Sequence, residues 1–208
     1  MQERYEANGV RGVLDWPEER GGDAIALTHG AGSNAHAPLL VALAGAFAAG
    51  GCLVLRFDLP FRQQRAKGPP FPAAAAADRK GIERAVEAVR TLAGGRVFAG
   101  GHSYGGRQST MAAAERAGMA DALLLLSYPL HPPNRPEQKR TAHFSQLRTP
   151  ALFVHGTSDP FGSIEDLRAA VGLIPAKTDV LAVEGAGHDL KRAAGLAGEI
   201  LARLRALL

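Results

Sequence analysis

A serine, an aspartate and a histidine stand in three glycine-containing segments: Gly101-His102-Ser103-Tyr104-Gly105, Gly156-Thr157-Ser158-Asp159-Pro160 and Gly185-Ala186-Gly187-His188. Together these residue types can perform nucleophilic acyl transfer. A hydroxyl attacks a carbonyl, an imidazole takes its proton, and a carboxylate fixes the imidazole tautomer and stabilises its protonated form. The pattern around Ser103 suits a turn so sharp that only small residues fit two positions to either side. Such a turn presents the hydroxyl at a helix N-terminus, where free N–H groups and the positive helix end favour a developing anion. Glycine before His188 lets the chain bend the ring back toward the serine. Asp159 follows a strand and lies between the other two in the chain, which makes it the candidate acid. Asp189 adjoins His188, cannot easily reach round to its Nδ1, and better suits capping the last helix. Of the remaining histidines, His102 is expected to point into the scaffold and His155 to brace the acid loop. His29 opens a loop, and His36, His131 and His143 have no comparable context.

An acyl-transfer site also needs donors for the oxyanion. The backbone N–H of Tyr104 is one candidate, and Ala31 in His29-Gly30-Ala31-Gly32 is the other, because its glycines permit close backbone approach. That loop lacks the G-K-[ST] of a phosphate loop and does not complete G-x-G-x-x-G, so no nucleotide cofactor is expected. Arg62, Arg65 and Lys67, with Arg107 after the serine turn, could attract a carboxylate-bearing substrate or be ordinary solvated charge; Arg62, Arg65 and Arg107 are the candidate substrate contacts.

Positioning these groups requires a particular order of elements. Short apolar runs at 24–28, 52–57, 96–99, 122–127, 151–155 and 180–183 have strand length, and 10–16 reads as an edge strand ended by Pro17. Between them, 18–23 reads as a charged turn and 38–49 as a helix with Leu39, Leu40, Leu43 and Phe47 at helical spacing. Further helices are predicted at about 73–92, from the serine turn to 117, at 164–173 and at 190–207. In the last of these, Leu190, Ala194, Ala197, Leu201 and Leu204 share a face. Segments 59–72 and 131–150 are proline-rich, basic loops. Nearly all-apolar strands alternating with amphipathic helices imply a mostly parallel sheet of about six to seven strands covered on both faces. In such a sheet, ligands bind beyond the carboxyl ends of the strands, where all three candidate residues fall. The 131–150 segment is too short for a large helical lid, so an open cleft for small acyl groups is expected.

Composition narrows the classes. The chain has 208 residues, 46% hydrophobic and 21% charged, which fits one globular domain spanning 1–208. A net charge of +4 without a concentrated basic run argues against nucleic-acid binding. The lone Cys52 lies in an apolar run and reads as a buried structural thiol. The charged opening MQERYEANGVRG is unlike a signal peptide, and no apolar stretch is long enough to span a bilayer. A cytoplasmic protein without metal, cofactor or membrane partner is therefore expected.

On HGAG, RFDLP, GHSYGG, HGTSDPFG and GAGH, taken in order over about 29–188, the chain resembles the α/β-hydrolase superfamily. It looks most like the short, lid-poor branch related to dienelactone hydrolases and the testis-expressed-type hydrolase-like proteins. The resemblance implies an α/β-hydrolase fold and a catalytic triad of Ser103, Asp159 and His188. It also implies a carboxylesterase-like serine hydrolase acting on small ester or related acyl substrates. A non-catalytic binding protein on the same fold, or a C–C hydrolase or perhydrolase using the same triad, are the alternatives. Dienelactone hydrolases use a cysteine nucleophile, so serine at 103 separates this chain from that activity.

Overall fold

The computed structural model describes residues 1–19 and 22–208. Among these, eight strands form one sheet: β1 (Gln2–Ala7), β2 (Val10–Asp15), β3 (Ala24–Thr28), β4 (Leu53–Asp58), β5 (Val97–His102), β6 (Ala122–Leu126), β7 (Ala151–Gly156) and β8 (Thr178–Val183), in spatial order β1-β2-β4-β3-β5-β6-β7-β8. The β1–β2 and β2–β4 pairs are antiparallel, and every other pair is parallel. The helices are α1 (Pro38–Ala49), α2 (Pro60–Gln64), α3 (Ala75–Arg90), α4 (Tyr104–Glu115), α5 (Ile164–Val171) and α6 (Ala197–Ala206).

Successive strand residues point to opposite faces, and here both faces are buried. Ala24, Ala26, Leu123 and Leu125 pack with Ile82 and Val86 of α3 and Leu167 of α5. Their neighbours Ile25, Leu27, Leu124 and Leu126 pack with Leu43 and Phe47 of α1 and Leu201 and Leu204 of α6. Two covered faces explain why these strands are apolar throughout. The sheet is thus an α/β-hydrolase fold with helices on both sides. Between β6 and β7 the chain forms only a short 3-10 turn, Phe144–Gln146, and no lid.

Several boundaries differ from the sequence expectations. The edge strand is β1, not the 10–16 segment, which gives the sheet eight strands. β1 is charged and largely exposed, so it carries no apolar alternation. The 59–72 loop contains α2, whose Pro60 occupies the first turn, where its missing N–H breaks no bond. The 73–92 helix begins with a 3-10 turn at Pro72–Ala74. The last helix starts late, at Ala197, because Leu190 takes φ 49° and Ala193–Leu196 form a 3-10 turn. Asp189 therefore caps no helix; it is exposed and pairs with Lys191 at 3.1 Å. Of the 18–23 turn, residues 20 and 21 lie outside the described residues. No helix among the described residues is long and apolar enough to cross a membrane.

Candidate active site

Ser103 is the residue between β5 and α4, at φ 52° and ψ −114°. A non-glycine residue in that region carries roughly 1–3 kcal/mol of strain, which the packing around the turn must hold. That packing is close. A Cβ on Gly101 would lie 2.4 Å from the Thr28 carbonyl oxygen, and one on Gly105 would lie 2.6 Å from that of His29. The end of β3 presses on both flanks of the turn, so glycine at each position is a steric requirement.

The three candidate side chains meet. Ser103 Oγ lies 2.8 Å from His188 Nε2, and His188 Nδ1 lies 2.8 Å from Asp159 Oδ2 and 3.1 Å from Oδ1. A carboxylate only accepts, so Nδ1 carries the proton and donates it to Asp159, leaving Nε2 to accept from the Ser103 hydroxyl. Asp159 is 6% exposed, and its Oδ1 also accepts the Phe161 N–H at 2.9 Å. Burial alone would raise the Asp159 carboxyl. The hydrogen bonds from His188 and Phe161 and the neighbouring rings of His188 and His155 outweigh it and hold the carboxyl below the usual range. The Phe161 ring lies 4.3 Å from the His188 ring, centroid to centroid, and packs against it.

Other histidines serve this geometry. His102 sits 2.7 Å from the His188 carbonyl oxygen, so its Nε2–H supports the backbone of the residue whose ring must face Ser103. Burial lowers its pKa below the ordinary histidine value. His155 is fully buried, with Nε2 donating to the Gly162 carbonyl at 2.9 Å, and thereby braces the acid loop as expected. The Ser158 N–H bonds the Ala186 carbonyl at 3.0 Å and ties that loop to the His188 loop.

The loop carrying Ala31 is fixed from several sides. Leu59 N–H donates to His29 Nε2 at 3.1 Å, so His29 carries its proton on Nδ1 and donates it to the Gly30 carbonyl at 2.8 Å. The same carbonyl accepts the Ser33 N–H at 3.1 Å. Because the peptide is planar and trans, holding the Gly30 carbonyl forces the Ala31 N–H to point the opposite way. That N–H has no partner among the described residues. Gly30 also lies against the Ser103 turn: a Cβ there would sit 3.4 Å from Ser103 Cβ. Tyr104 is the first residue of α4, so its N–H has no carbonyl one turn earlier to bond. Asp58 accepts the Ala35 N–H at 2.8 Å, and the buried Arg56, paired with Asp15 at 2.7 Å, donates to the Ala35 carbonyl at 2.9 Å.

The candidate arginines separate. Arg62 is 5% exposed and turned inward, its donors bonded to the carbonyls of Ala31, Ser33, Arg65 and Gly68. Four of its five N–H groups are taken up inside the fold, so its main partners are backbone carbonyls rather than a substrate, which corrects the expectation for this residue. Arg65 is exposed and stacks over Phe71, with Cζ 4.4 Å from the ring centroid. Arg107 has a buried Nε with no hydrogen-bond partner and makes no ion pair among the described residues.

Two further groups had no signal in the sequence. Asp78, inside α3, accepts the Tyr104 hydroxyl at 2.7 Å and the Phe61 N–H at 3.1 Å, which links α2, α3 and the Ser103 turn. Its burial raises the carboxyl above the ordinary value despite those bonds. His143, without context in the sequence, bonds Thr110 Oγ1 at 2.7 Å; burial, then the charges of Arg107 and Arg79, push it down to about 4. Cys52 is buried as expected, its thiol pushed up to about 12 by burial. Beside the site lies a largely apolar cavity of about 420 Å³ lined by Ser33, Ala37, Leu39, Leu40, His102 and Ala194 among others.

A family model described as an alpha/beta hydrolase domain matches residues 22–199. Solved structures share the fold along nearly the whole chain. A dienelactone hydrolase from Anabaena variabilis aligns with a TM-score of 0.73 at 20% identity, covering 98% of each chain. Est1E from Butyrivibrio proteoclasticus aligns at 0.77 and 18% identity, covering 99% of this chain and 98% of that one. XC6422 from Xanthomonas campestris, an α/β serine hydrolase without a lid, aligns at 0.72 and 18% identity over 100% and 94%.

Proposed function

Because the chain belongs to the alpha/beta-hydrolase domain family, we propose that it is a carboxylesterase-like serine hydrolase cleaving small ester or related acyl substrates, with 1–208 acting as one catalytic domain. The observation that carries this reading is the unbroken hydrogen-bonded series from Asp159 through His188 to Ser103. Ser103 Oγ attacks the carbonyl carbon while His188 Nε2 takes its proton, and Asp159 stabilises the imidazolium. The oxyanion accepts from the N–H groups of Ala31 and Tyr104. His188 then protonates the leaving alcohol, and water, activated by the same ring, releases the acid from Ser103. The apolar cavity beside His102 and Ser33 would take an apolar substituent of the substrate.

A fluorophosphonate probe should label the wild-type protein at Ser103. Ser103→Ala should lose both the labelling and the turnover of a panel of short p-nitrophenyl esters. Equal labelling of the two proteins would remove Ser103 from its role. No labelling of the wild type would favour the non-catalytic alternative.

Arg65 and Arg107 remain the proposed contacts for an anionic substituent, and Arg107, whose backbone N–H bonds the Ser103 carbonyl at 2.9 Å one helical turn from the hydroxyl, is favoured over Arg65. A charge-assisted hydrogen bond is worth about 1.5–3 kcal/mol. On that scale p-nitrophenyl hemiglutarate should exceed p-nitrophenyl valerate in kcat/KM by about 10- to 150-fold. The ratio should fall to about one in Arg107→Gln. A wild-type ratio of one or less would discard the anionic preference.

A further inference from the structure

Arg62 is a guanidinium in the protein interior that faces carbonyl dipoles and no carboxylate. Among the described residues it makes no ion pair. Its Nε donates to the Ser33 carbonyl at 2.7 Å and its Nη2 to that of Ala31 at 2.9 Å. On the other side, Nη1 donates to the Arg65 carbonyl at 3.0 Å and Nη2 also to that of Gly68 at 2.9 Å. Gly68, at φ 87°, turns the chain so that the second pair of carbonyls faces the same group. A buried charge held by four carbonyls, with its Cζ 4.9 Å from the Phe61 ring centroid and no carboxylate beside it, is an expensive way to join two loops, and an apolar side chain would fill the space without that desolvation. What the guanidinium supplies is direction. Its planar fork bonds the carbonyls of residues 31 and 33 at fixed angles, and those carbonyls belong to the loop whose Ala31 N–H has no partner among the described residues and whose Gly30 lies against the Ser103 turn.

We propose that Arg62 is the positioning residue of the oxyanion hole: it holds the Ala31–Ser33 backbone so that the Ala31 N–H stays aimed where negative charge develops. This rests on the serine-hydrolase reading and adds to it a residue that touches no substrate. His29 fixes the peptide before Ala31 and Arg62 the two carbonyls after it, so the amide is held from both ends.

The test compares wild type with Arg62→Met and Arg62→Lys. It measures kcat, KM, burst-titrated active sites and the Ki of an acyclic trifluoromethyl ketone, whose hemiketal oxyanion depends on the same donors. Removing an oxyanion donor outright lowers kcat about 10²–10³-fold. Loosening one should lower kcat per titrated site about 30- to 100-fold in Arg62→Met, with KM within about threefold. The ketone should bind weaker by a similar factor, and Arg62→Lys should fall between. A merely structural role would reduce the number of titrated sites and leave kcat per site and Ki unchanged; that result overturns the proposal. Should Arg62→Met fail to fold, Arg62→Ala with added ethylguanidinium provides the second measurement. Recovery of kcat and ketone affinity with the additive supports the role, and recovery of soluble protein alone overturns it. A wild type that neither labels nor turns over ester ends the underlying reading, whereas an active wild type with an indifferent Arg62 ends only this one.

Discussion

Asp159→Asn should lower kcat on short p-nitrophenyl esters by about 10⁴-fold while KM and thermal stability change little. The reason lies in the count of donors around the carboxylate. Oδ1 accepts the Phe161 N–H at 2.9 Å, and Oδ2 accepts the His188 Nδ1–H at 2.8 Å. Asparagine has one acceptor oxygen, and the backbone N–H of Phe161 cannot turn away from it. The amide NH2 is then left facing His188, which must present a bare Nδ1 and carry its proton on Nε2. That nitrogen now points a hydrogen at Ser103 Oγ and cannot accept one. The site keeps its shape and loses its base. Crystallographic or NMR assignment of the ring tautomer should show the proton moved to Nε2. A loss below tenfold would mean that Asp159 does not orient the base.

Stability should fall steeply as the pH drops from 6.5 toward 5. Burial holds His29, His102, His143 and His155 below the ordinary histidine value of 6.5, His143 at about 4. In the unfolded chain the same rings titrate near 6.5. Between the two values the unfolded state binds protons that the folded state refuses, so acid favours unfolding, and above 6.5 the effect vanishes. Each ring contributes about 1.4 kcal/mol per pH unit inside its window. His143, held at about 4, carries that slope across the whole interval from 6.5 to 5, and His29, His102 and His155 add to it in the same direction. The structure shows what each proton would disturb: on His29, for example, a second proton would confront the Leu59 N–H. The urea midpoint should be flat above pH 7 and fall sharply below 6.5. His143→Gln should reduce the slope. Below about pH 4 the carboxyls of Asp23 and Asp159 add to the loss. Both are held low despite burial, Asp23 by its bonds from Arg96 and Arg205. A midpoint unchanged down to pH 5 would show that these rings are charged in the folded protein.

Some of what the sequence left unread was present in it. The β1–β2 hairpin turns on Asn8-Gly9, at φ 51° and 72°, the dipeptide best suited to a two-residue turn with both residues left-handed. The strand before it, β1, is charged and largely exposed, so no apolar alternation marks the turn. The late start of α6 is of another kind. Leu190, Ala197, Leu201 and Leu204 are buried as the periodicity predicted, yet the chain between them must first complete the loop that brings His188 over Ser103.

Local chemistry was sufficient for the order of elements and for the three candidate side chains that meet at 103, 159 and 188. Apolar runs of strand length, helix periodicity and glycine-flanked turns act over a few residues, so their consequences follow from neighbours in the chain. The partners of Arg62, Asp78 and His102 are different, because each was decided by side chains converging from separate elements. An arginine in a basic loop looks the same on paper whether it faces water or four carbonyls. Only packing, by removing water from one guanidinium and leaving another exposed, determines which positive charge holds the backbone in place and which is free to meet a substrate.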